Sequence, residues 1–155
     1  MTHPRCTSVP EIEEILSVSL LSNIGAVPGM TLAEQRKAEF RKRTKAFAGS
    51  VVKCFINLDH RREEQRILGR QMVRSGTSVA ANYREASRAR SSDEFIAKVE
   101  LCIQEADETQ LWLELLRDNC GVDGNLLAPI WKEADELIAI FVTMAKNTKG
   151  NKNGS

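Results

Sequence analysis

Aromatic residues and long apolar runs are both scarce in this chain of 155 residues. It contains two Trp, one Tyr and five Phe, and most of its apolar residues are Leu, Ile, Val and Ala. Such an aliphatic composition favours helices over a β-sandwich. No segment approaches the roughly 20 apolar residues that a membrane-spanning helix needs. Acidic residues at 11, 13 and 14 precede the apolar stretch 15–22, where a secretory signal has basic residues. We therefore expect a cytoplasmic protein with no membrane partner.

Cysteine and histidine are too few and too scattered for the common zinc sites. No CxxC pair occurs among Cys6, Cys54, Cys102 and Cys120, and the two histidines are His3 and His60. The usual Cys/His zinc patterns are therefore excluded. Free thiols in a reducing compartment are the expected state. The sequence predicts neither a metal nor a cofactor.

Charge is unevenly distributed along the chain, although the net charge is only +1. Residues 36–90 contain 15 Lys and Arg against 5 Asp and Glu, a net charge of +10. Residues 91–141 contain 3 Lys and Arg against 12 Asp and Glu, a net charge of −9. The two halves either neutralise each other, within or between subunits, or leave a basic face for nucleic acid.

Four segments with helical spacing of apolar residues follow one another at about 31–58, 63–88, 91–120 and 125–147. Thr31 with Glu34, and Ser91 with Glu94, have the spacing of capping boxes at the starts of the first and third segments. Short links between helices force neighbours to be antiparallel. The sequence predicts an all-α, antiparallel up-down-up-down four-helix bundle over residues 31–147.

The two ends of the chain are expected to lie outside this bundle. Residues 1–30 form an N-terminal extension, with a short amphipathic helix at about 9–22 as one hypothesis and a native start at Met30 as another. The polar residues 148–155 are predicted to be a disordered tail.

A set of polar residues recurs on the second and third predicted helices. Its members are Asn82, Glu85, Lys98, Glu105, Glu108 and Thr109. Residues three or four positions apart share a helix face, so opposed helices can bring an amide, a lysine and carboxylates together. We predict a structural network that sets helix register. Bundle di-iron sites use Glu-x-x-His pairs, which this chain lacks.

One enzymatic alternative depends on two EADE tetrapeptides on consecutive helices. Glu105 with Glu108, and Glu133 with Glu136, resemble the ExxE…ExxD magnesium motif of all-helical nucleotide pyrophosphohydrolases. Four carboxylates could hold Mg²⁺ against a triphosphate, and the metal would activate water.

Basic residues of the first two helices form the candidate nucleic-acid surface. They are Arg41, Lys42, Arg43, Lys45, Arg70, Arg74, Arg84, Arg88 and Arg90. No RRM, KH or zinc-finger signature accompanies them, so recognition by shape and charge is favoured over base readout. A solvated or subunit-bridging face is the alternative. Apolar residues outside the predicted core, namely Ile56, Leu101, Leu111, Trp112 and Leu115, indicate self-association.

The stretch Gln71-Met72-Val73-Arg74-Ser75-Gly76-Thr77-Ser78-Val79-Ala80-Ala81-Asn82-Tyr83-Arg84-Glu85-Ala86 resembles a hallmark of a known family. Its members are called four helix bundle proteins, 23S rRNA intervening-sequence proteins or S23 ribosomal proteins. Asp93-Glu94-Phe95, Glu105-Ala106-Asp107-Glu108-Thr109 and Trp112-Leu113-Glu114-Leu115-Leu116 continue the similarity, which extends over about 45–144.

This resemblance implies a small cytoplasmic bacterial protein that assembles with itself, often as a pentamer. A structurally similar protein, the accessory variability determinant of diversity-generating retroelements, is a basic pentameric barrel that binds nucleic acid and a reverse transcriptase. The expectation is therefore a non-catalytic oligomeric scaffold that binds structured RNA, DNA or a nucleic-acid enzyme through a basic face. A purely structural protein-interaction module is a further alternative.

Overall fold

A computed structural model describes residues 28–153, and four helices account for most of this range. The helices are α1 (Leu32–Ile56), α2 (Glu63–Ala86), α3 (Ser92–Asp118) and α4 (Gly124–Asn153). Each helix packs against its neighbour along the chain, and α4 returns to α1 through fewer contacts. No strand occurs in residues 28–153. The predicted up-down-up-down four-helix bundle is confirmed.

The predicted capping box at the start of α1 is complete, and the one at the start of α3 is half formed. Thr31 Oγ1 accepts from Glu34 N at 3.2 Å, and Glu34 Oε2 accepts from Thr31 N at 2.8 Å. Ser91 Oγ accepts from Glu94 N at 3.1 Å, but Glu94 Oε2 accepts from Arg90 N, one residue before the expected donor. These bonds satisfy amide groups that have no partner inside the helix.

Three aromatic rings fill the core at the end of the bundle where α1 begins and α2 ends. The ring centroid of Phe40 lies 4.7 Å from that of Tyr83 and 5.4 Å from that of Phe141, both in edge-to-face arrangement. Tyr83 is 1% exposed, and burial raises the pKa of its hydroxyl above the ordinary range. Tyr83 is therefore a core residue, although the sequence places it among the arginines.

Close packing of α1 against α2 depends on Gly76. A Cβ atom at this position would lie 2.8 Å from both methyl carbons of Val51. The small residues at 75–78 predict either a kink or a close approach of a neighbouring helix. The structure has an unbroken α2 with a buried Gly76, so close approach is the reason for the glycine.

The end of α4 differs from the expectation. The helix continues to Asn153, and Thr148 is 5% exposed with its Oγ1 donating to Met144 O at 2.9 Å. The prediction of a disordered tail is therefore wrong for residues 148–153, because Thr148 satisfies its own hydroxyl and packs in the core. Residues 1–27 and 154–155, and with them the helix expected at 9–22, lie outside the described range.

Cys54, Cys102 and Cys120 are free and buried, as the sequence predicts for structural thiols. Burial raises the pKa of the Cys54 thiol to about 11 and that of the Cys102 thiol to about 12. Thiols with such values are almost entirely protonated at neutral pH and react poorly as nucleophiles. Among the described helices, none is both long and apolar enough to cross a bilayer.

A candidate nucleic-acid interface between α1 and α2

Five cationic side chains line one open cleft of about 360 Å³ between the first half of α1 and the end of α2. Its lining consists of Arg41, Lys42, Lys45, Arg84 and Arg88, which together we call the cationic cleft. Arg41 and Lys45 are one helical turn apart, as are Arg84 and Arg88, so each pair projects from one helix face. All five belong to the basic set that the sequence predicts.

Little negative charge is available to the cationic cleft from residues 28–153. Within that range no carboxylate lies within salt-bridge distance of Arg41, Lys45, Arg84 or Arg88, and Lys42 reaches only the exposed Glu39 at 4.0 Å. Exposed ion pairs of this kind contribute little to stability because solvent and salt screen the attraction. A group of cations without counter-charges attracts phosphates and other anions.

Arg43 lies outside the cationic cleft, contrary to its assignment to the basic surface. Its Nε donates to Glu133 Oε1 at 2.6 Å and its Nη2 to Glu133 Oε2 at 3.0 Å, which makes a bidentate pair. Nη2 also donates to Glu136 Oε2 at 2.7 Å. The pKa of Arg43 is raised mainly by its hydrogen bond to Glu133. The helical rotation turns Arg43 toward α4, so the structure does not bring it together with the cations of the cleft.

Arg74 is likewise occupied by carboxylates. Its Nη2 donates to Glu108 and its Nη1 lies 3.5 Å from Glu105 Oε2, both across the interface between α2 and α3. Arg70 and Arg90 are exposed but do not line the cleft. The nine predicted basic residues therefore divide into five in the cleft, two in ion pairs with other helices and two elsewhere on the surface.

The predicted polar network is present only as separate pairs along the interface between α2 and α3. Lys98 pairs with Glu85, and Arg74 joins Glu105 to Glu108. No hydrogen bond joins Asn82 to these residues in the described part of the chain. The six residues therefore do not form a single cluster, because the pairs lie several helical turns apart along α2 and α3.

A buried hydroxyl pair at the centre of the same interface was not predicted. Ser75 Oγ and Thr109 Oγ1 lie 2.8 Å apart, and both residues are fully buried. Thr109 Oγ1 also donates to Glu105 O at 2.7 Å. The sequence indicates Thr109, but Ser75 carried no signal beyond its place among small residues. This pair favours the observed register of α2 against α3, because a shift of one residue would separate the two hydroxyls and leave them only their bonds to Met72 O and Glu105 O within their own helices.

Glu105 is the least satisfied polar group of this interface. Its Oε2 is buried and accepts no hydrogen bond within residues 28–153. Burial raises the pKa of Glu105, an effect that Glu108 increases and Arg74 opposes. The carboxyl is therefore held in the fold at an energetic cost when it is ionised.

The four glutamates of the magnesium hypothesis are not assembled. Glu105 and Glu108 are engaged by Arg74 between α2 and α3, whereas Glu133 and Glu136 are engaged by Arg43 between α1 and α4. In the described residues, no three His, Cys, Asp or Glu side chains converge closely enough to hold a metal ion. The EADE repeats are thus partners for two interhelical arginines.

Several apolar side chains remain exposed on the bundle, as the sequence predicts. Ile56 is 66% exposed, and Leu111 is 47% exposed. Trp112 is only partly buried against the core, and its indole Nε1 has no hydrogen-bond partner in the described range. Apolar surface of this kind is typical of proteins that associate.

Two comparisons with known proteins agree with this fold. The crystal structure of a protein of unknown function from the S23 ribosomal protein family of Bacteroides thetaiotaomicron VPI-5482 is similar to this chain, with a TM-score of 0.65 and 29% sequence identity. That similarity covers 72% of this chain and 98% of the other. No curated protein matches the chain. The family profile described as 23S rRNA-intervening sequence protein matches residues 36–143. Because this match extends over 108 of 155 residues, the chain belongs to the 23S rRNA-intervening sequence protein family.

Proposed function

We propose that this protein is a non-catalytic, cytoplasmic accessory protein that binds RNA or DNA through the cationic cleft. The observation that carries the proposal is the convergence of Arg41, Lys42, Lys45, Arg84 and Arg88 on one open cleft without a lining carboxylate. Two helices supply these cations in pairs one turn apart, so neighbouring phosphates of one strand can be contacted together.

Recognition of the phosphate backbone is favoured over recognition of bases. Base stacking needs an exposed aromatic ring, and Tyr83, the aromatic residue nearest in sequence to Arg84, is buried in the core. The lining of the cleft is entirely cationic. We therefore expect binding that depends strongly on salt and weakly on base sequence.

Self-association is part of the proposal. The exposed Ile56, Ile67 and Leu111 support an assembly of several copies, which would gather several cationic clefts into one larger surface. A pentamer is the expected stoichiometry from the family resemblance. Native mass spectrometry of the intact chain tests both the assembly and its copy number.

The decisive experiment compares two pairs of substitutions with the same change in charge. The cleft variant is Arg84→Gln with Arg88→Gln, and the control is Arg70→Gln with Arg90→Gln, which removes two exposed arginines outside the cleft. Fluorescence anisotropy with a short labelled single-stranded RNA, and with its DNA counterpart, measures affinity at several salt concentrations.

For the cleft variant we expect a loss of affinity of about tenfold or more at low salt. The slope of log K against log salt should become shallower by roughly 1.4, because each lost phosphate contact on a single strand accounts for about 0.7. The control should retain affinity to within about twofold and keep its slope. Equal losses in both variants, or no binding by the intact protein at low salt, would contradict the proposal.

A further inference from the structure

Most of the exposed apolar side chains lie in the half of the bundle opposite to the cationic cleft. Antiparallel packing places the ends of α1 and α3 beside the starts of α2 and α4, whereas the first half of α1 and the end of α2 form the cleft. Within residues 28–153, five of the eight exposed large apolar residues belong to the former half: Val52, Ile56, Ile67, Leu111 and Leu126. Exposed apolar groups of this kind mark a contact surface.

The outward faces of α1 and α3 each carry a row of residues with heptad spacing. The α1 seam consists of positions 38, 42, 45, 49, 52 and 56, and the α3 seam consists of positions 97, 101, 104, 108, 111 and 115. In both seams the intervals alternate between four and three residues, and no member is buried in the core. Apolar rows with this spacing pack against each other in coiled coils. The large apolar members are Val52 and Ile56 on α1, and Leu101, Leu111 and Leu115 on α3.

The two helices that carry the seams are opposite in charge. α1 contains seven Lys and Arg against two Asp and Glu, a net charge of +5. α3 contains two Lys and Arg against eight Asp and Glu, a net charge of −6. Charge therefore favours contact of α1 with α3 over contact of either helix with its own copy. Every copy of the chain carries both seams, so a second copy supplies the complementary surface.

A parallel arrangement of the two seams brings apolar residues together. When α1 of one copy lies parallel to α3 of another with full overlap, Val52 lies opposite Leu111 and Ile56 opposite Leu115, because each pair occupies the same heptad position. An antiparallel arrangement with the same overlap would place Leu111 opposite Lys42. The distribution of apolar residues along the seams thus favours the parallel arrangement.

An ion pair at the edge of the seams favours the same arrangement. In a parallel coiled coil, Lys53 and Asp107 occupy the flanking positions that pair between helices. Both residues are exposed, and neither lies within salt-bridge distance of an opposite charge in the described part of the chain. The antiparallel arrangement would place Lys53 beside Lys98 instead, and like charges repel.

We propose that the α1 seam of one copy packs in parallel against the α3 seam of a second copy, with Val52 on Leu111 and Ile56 on Leu115. This inference rests on the self-association that is part of the proposed function, and it assigns the two surfaces. The contact joins different surfaces, so each copy binds one neighbour through each seam, and a ring closes where the rotation between copies permits it. Parallel copies present their cationic clefts at the same end of the assembly.

The contact leaves the cationic cleft accessible. Lys42 and Lys45 belong both to the α1 seam and to the cleft, and both are exposed. A lysine lays its methylene stem along a neighbour and keeps its ammonium group in water. The apolar part of the α1 seam, Val52 with Ile56, lies beyond these lysines toward the end of α1. Assembly and polyanion binding therefore use different parts of the helix.

Disulfide formation between copies tests the arrangement without nucleic acid. The double variant Val52→Cys with Leu111→Cys is made in a chain with Cys6→Ser, so that the other thiols are the buried ones. Mild oxidation should give a ladder of dimers, trimers and larger species on a non-reducing gel, since each copy bonds two neighbours. Each single variant should give no ladder. The register control Lys42→Cys with Leu111→Cys should stay monomeric on the gel, because these positions meet only in the antiparallel arrangement.

Two serine variants with matched exposure test the seams in the reduced protein. The first is Val52→Ser with Leu111→Ser, whose parent side chains belong to residues 36% and 47% exposed. The control is Leu126→Ser with Leu32→Ser, at residues 38% and 47% exposed outside the seams. Native mass spectrometry should show that the first variant needs at least about tenfold more protein to assemble, because two apolar contacts are lost. The control should keep the parental copy number. Circular dichroism checks that both variants fold.

The outcomes separate this inference from the proposed function. Covalent dimers without larger species, or equal cross-linking of the register control, would overturn the parallel contact even if RNA binds. Equal loss of assembly in both serine variants, or a parent that stays monomeric at all concentrations, would refute the assignment of the seams and leave RNA binding by the cleft untouched. The expected ladder together with no RNA binding by any variant would support the contact and refute the nucleic-acid function.

Discussion

Arg43 and Lys45 are two residues apart in a basic run, yet the structure assigns them opposite roles. Arg43 holds α4 against α1 through Glu133 and Glu136, whereas Lys45 lines the cationic cleft. We therefore predict that Arg43→Met lowers stability without weakening RNA binding. Lys45→Met should weaken RNA binding without lowering stability. Each variant serves as the control for the other, since both remove one positive charge from α1.

The size of the Arg43 effect follows from its bonds. Three charge-assisted hydrogen bonds of 2.6, 3.0 and 2.7 Å would contribute about 1.5–3 kcal/mol each if fully buried. The side chain of Arg43 is 17% exposed, but those of Glu133 and Glu136 are 31% and 50% exposed. Solvent therefore screens much of the attraction between these charges. We expect a net loss of about 1–3 kcal/mol in the free energy of unfolding, because α1 and α4 share few other contacts.

Urea denaturation followed by circular dichroism measures the loss in the free energy of unfolding. A double-mutant cycle of Arg43→Met with Glu133→Gln measures the coupling energy between the two side chains. A coupling energy of about 1 kcal/mol or more is expected for partners in direct contact. Lys45→Met should stay within about 0.5 kcal/mol of the parent in unfolding and make the salt slope of single-stranded RNA binding shallower by about 0.7. An Arg43→Met variant with parental stability and reduced RNA affinity would show that Arg43 is part of the binding surface after all.

Two further predictions concern packing and pH. Gly76→Ala should destabilise the bundle by about 1–3 kcal/mol, because its Cβ would lie 2.8 Å from the Val51 methyl carbons. The control Gly49→Ala, whose Cβ would meet nothing within 4 Å, should stabilise by about 0.5–1 kcal/mol in the same thermal melts; a gain at both positions would refute the close approach of α1 and α2. The raised pKa of Glu105 means that the folded chain holds this proton more tightly than the unfolded chain, so ionisation lowers stability as pH rises above the ordinary value of 4.5. The stability of Glu105→Gln relative to the parent should therefore increase from acid to neutral pH in urea titrations, and a difference that does not change with pH would count against a desolvated carboxyl.

The fold could be predicted from the sequence because local signals agree with one another. Thr31 with Glu34 and Ser91 with Glu94 mark the starts of α1 and α3, and both spacings are visible in the sequence. The end of α4 could not be predicted in the same way. Composition shows that 148–153 is polar, but not that Thr148 bonds back to Met144 and packs inside the bundle.

The candidate site was predictable only in part, since counting charges along a helix says nothing about which neighbour they face. Arg41 and Arg43 differ by two positions, or about 200° around a helix, which is enough to separate the cleft from the interface with α4. The partners of Arg43 and Arg74 lie 90 and 34 residues away in sequence. Such pairings depend on tertiary packing, which helical periodicity alone does not contain.

The contrast between a basic and an acidic half of the chain now has two physical parts. One part is internal: Arg43 binds Glu133 and Glu136, and Arg74 binds Glu105 and Glu108, so basic residues of α1 and α2 neutralise acidic residues of α3 and α4. The other part is the cationic cleft, for which the only carboxylate within salt-bridge distance in residues 28–153 is the exposed Glu39, 4.0 Å from Lys42. Affinity for a polyanion should therefore follow the charge of the cleft and not the net charge of the chain, which is why pairs of variants with equal charge are the informative ones.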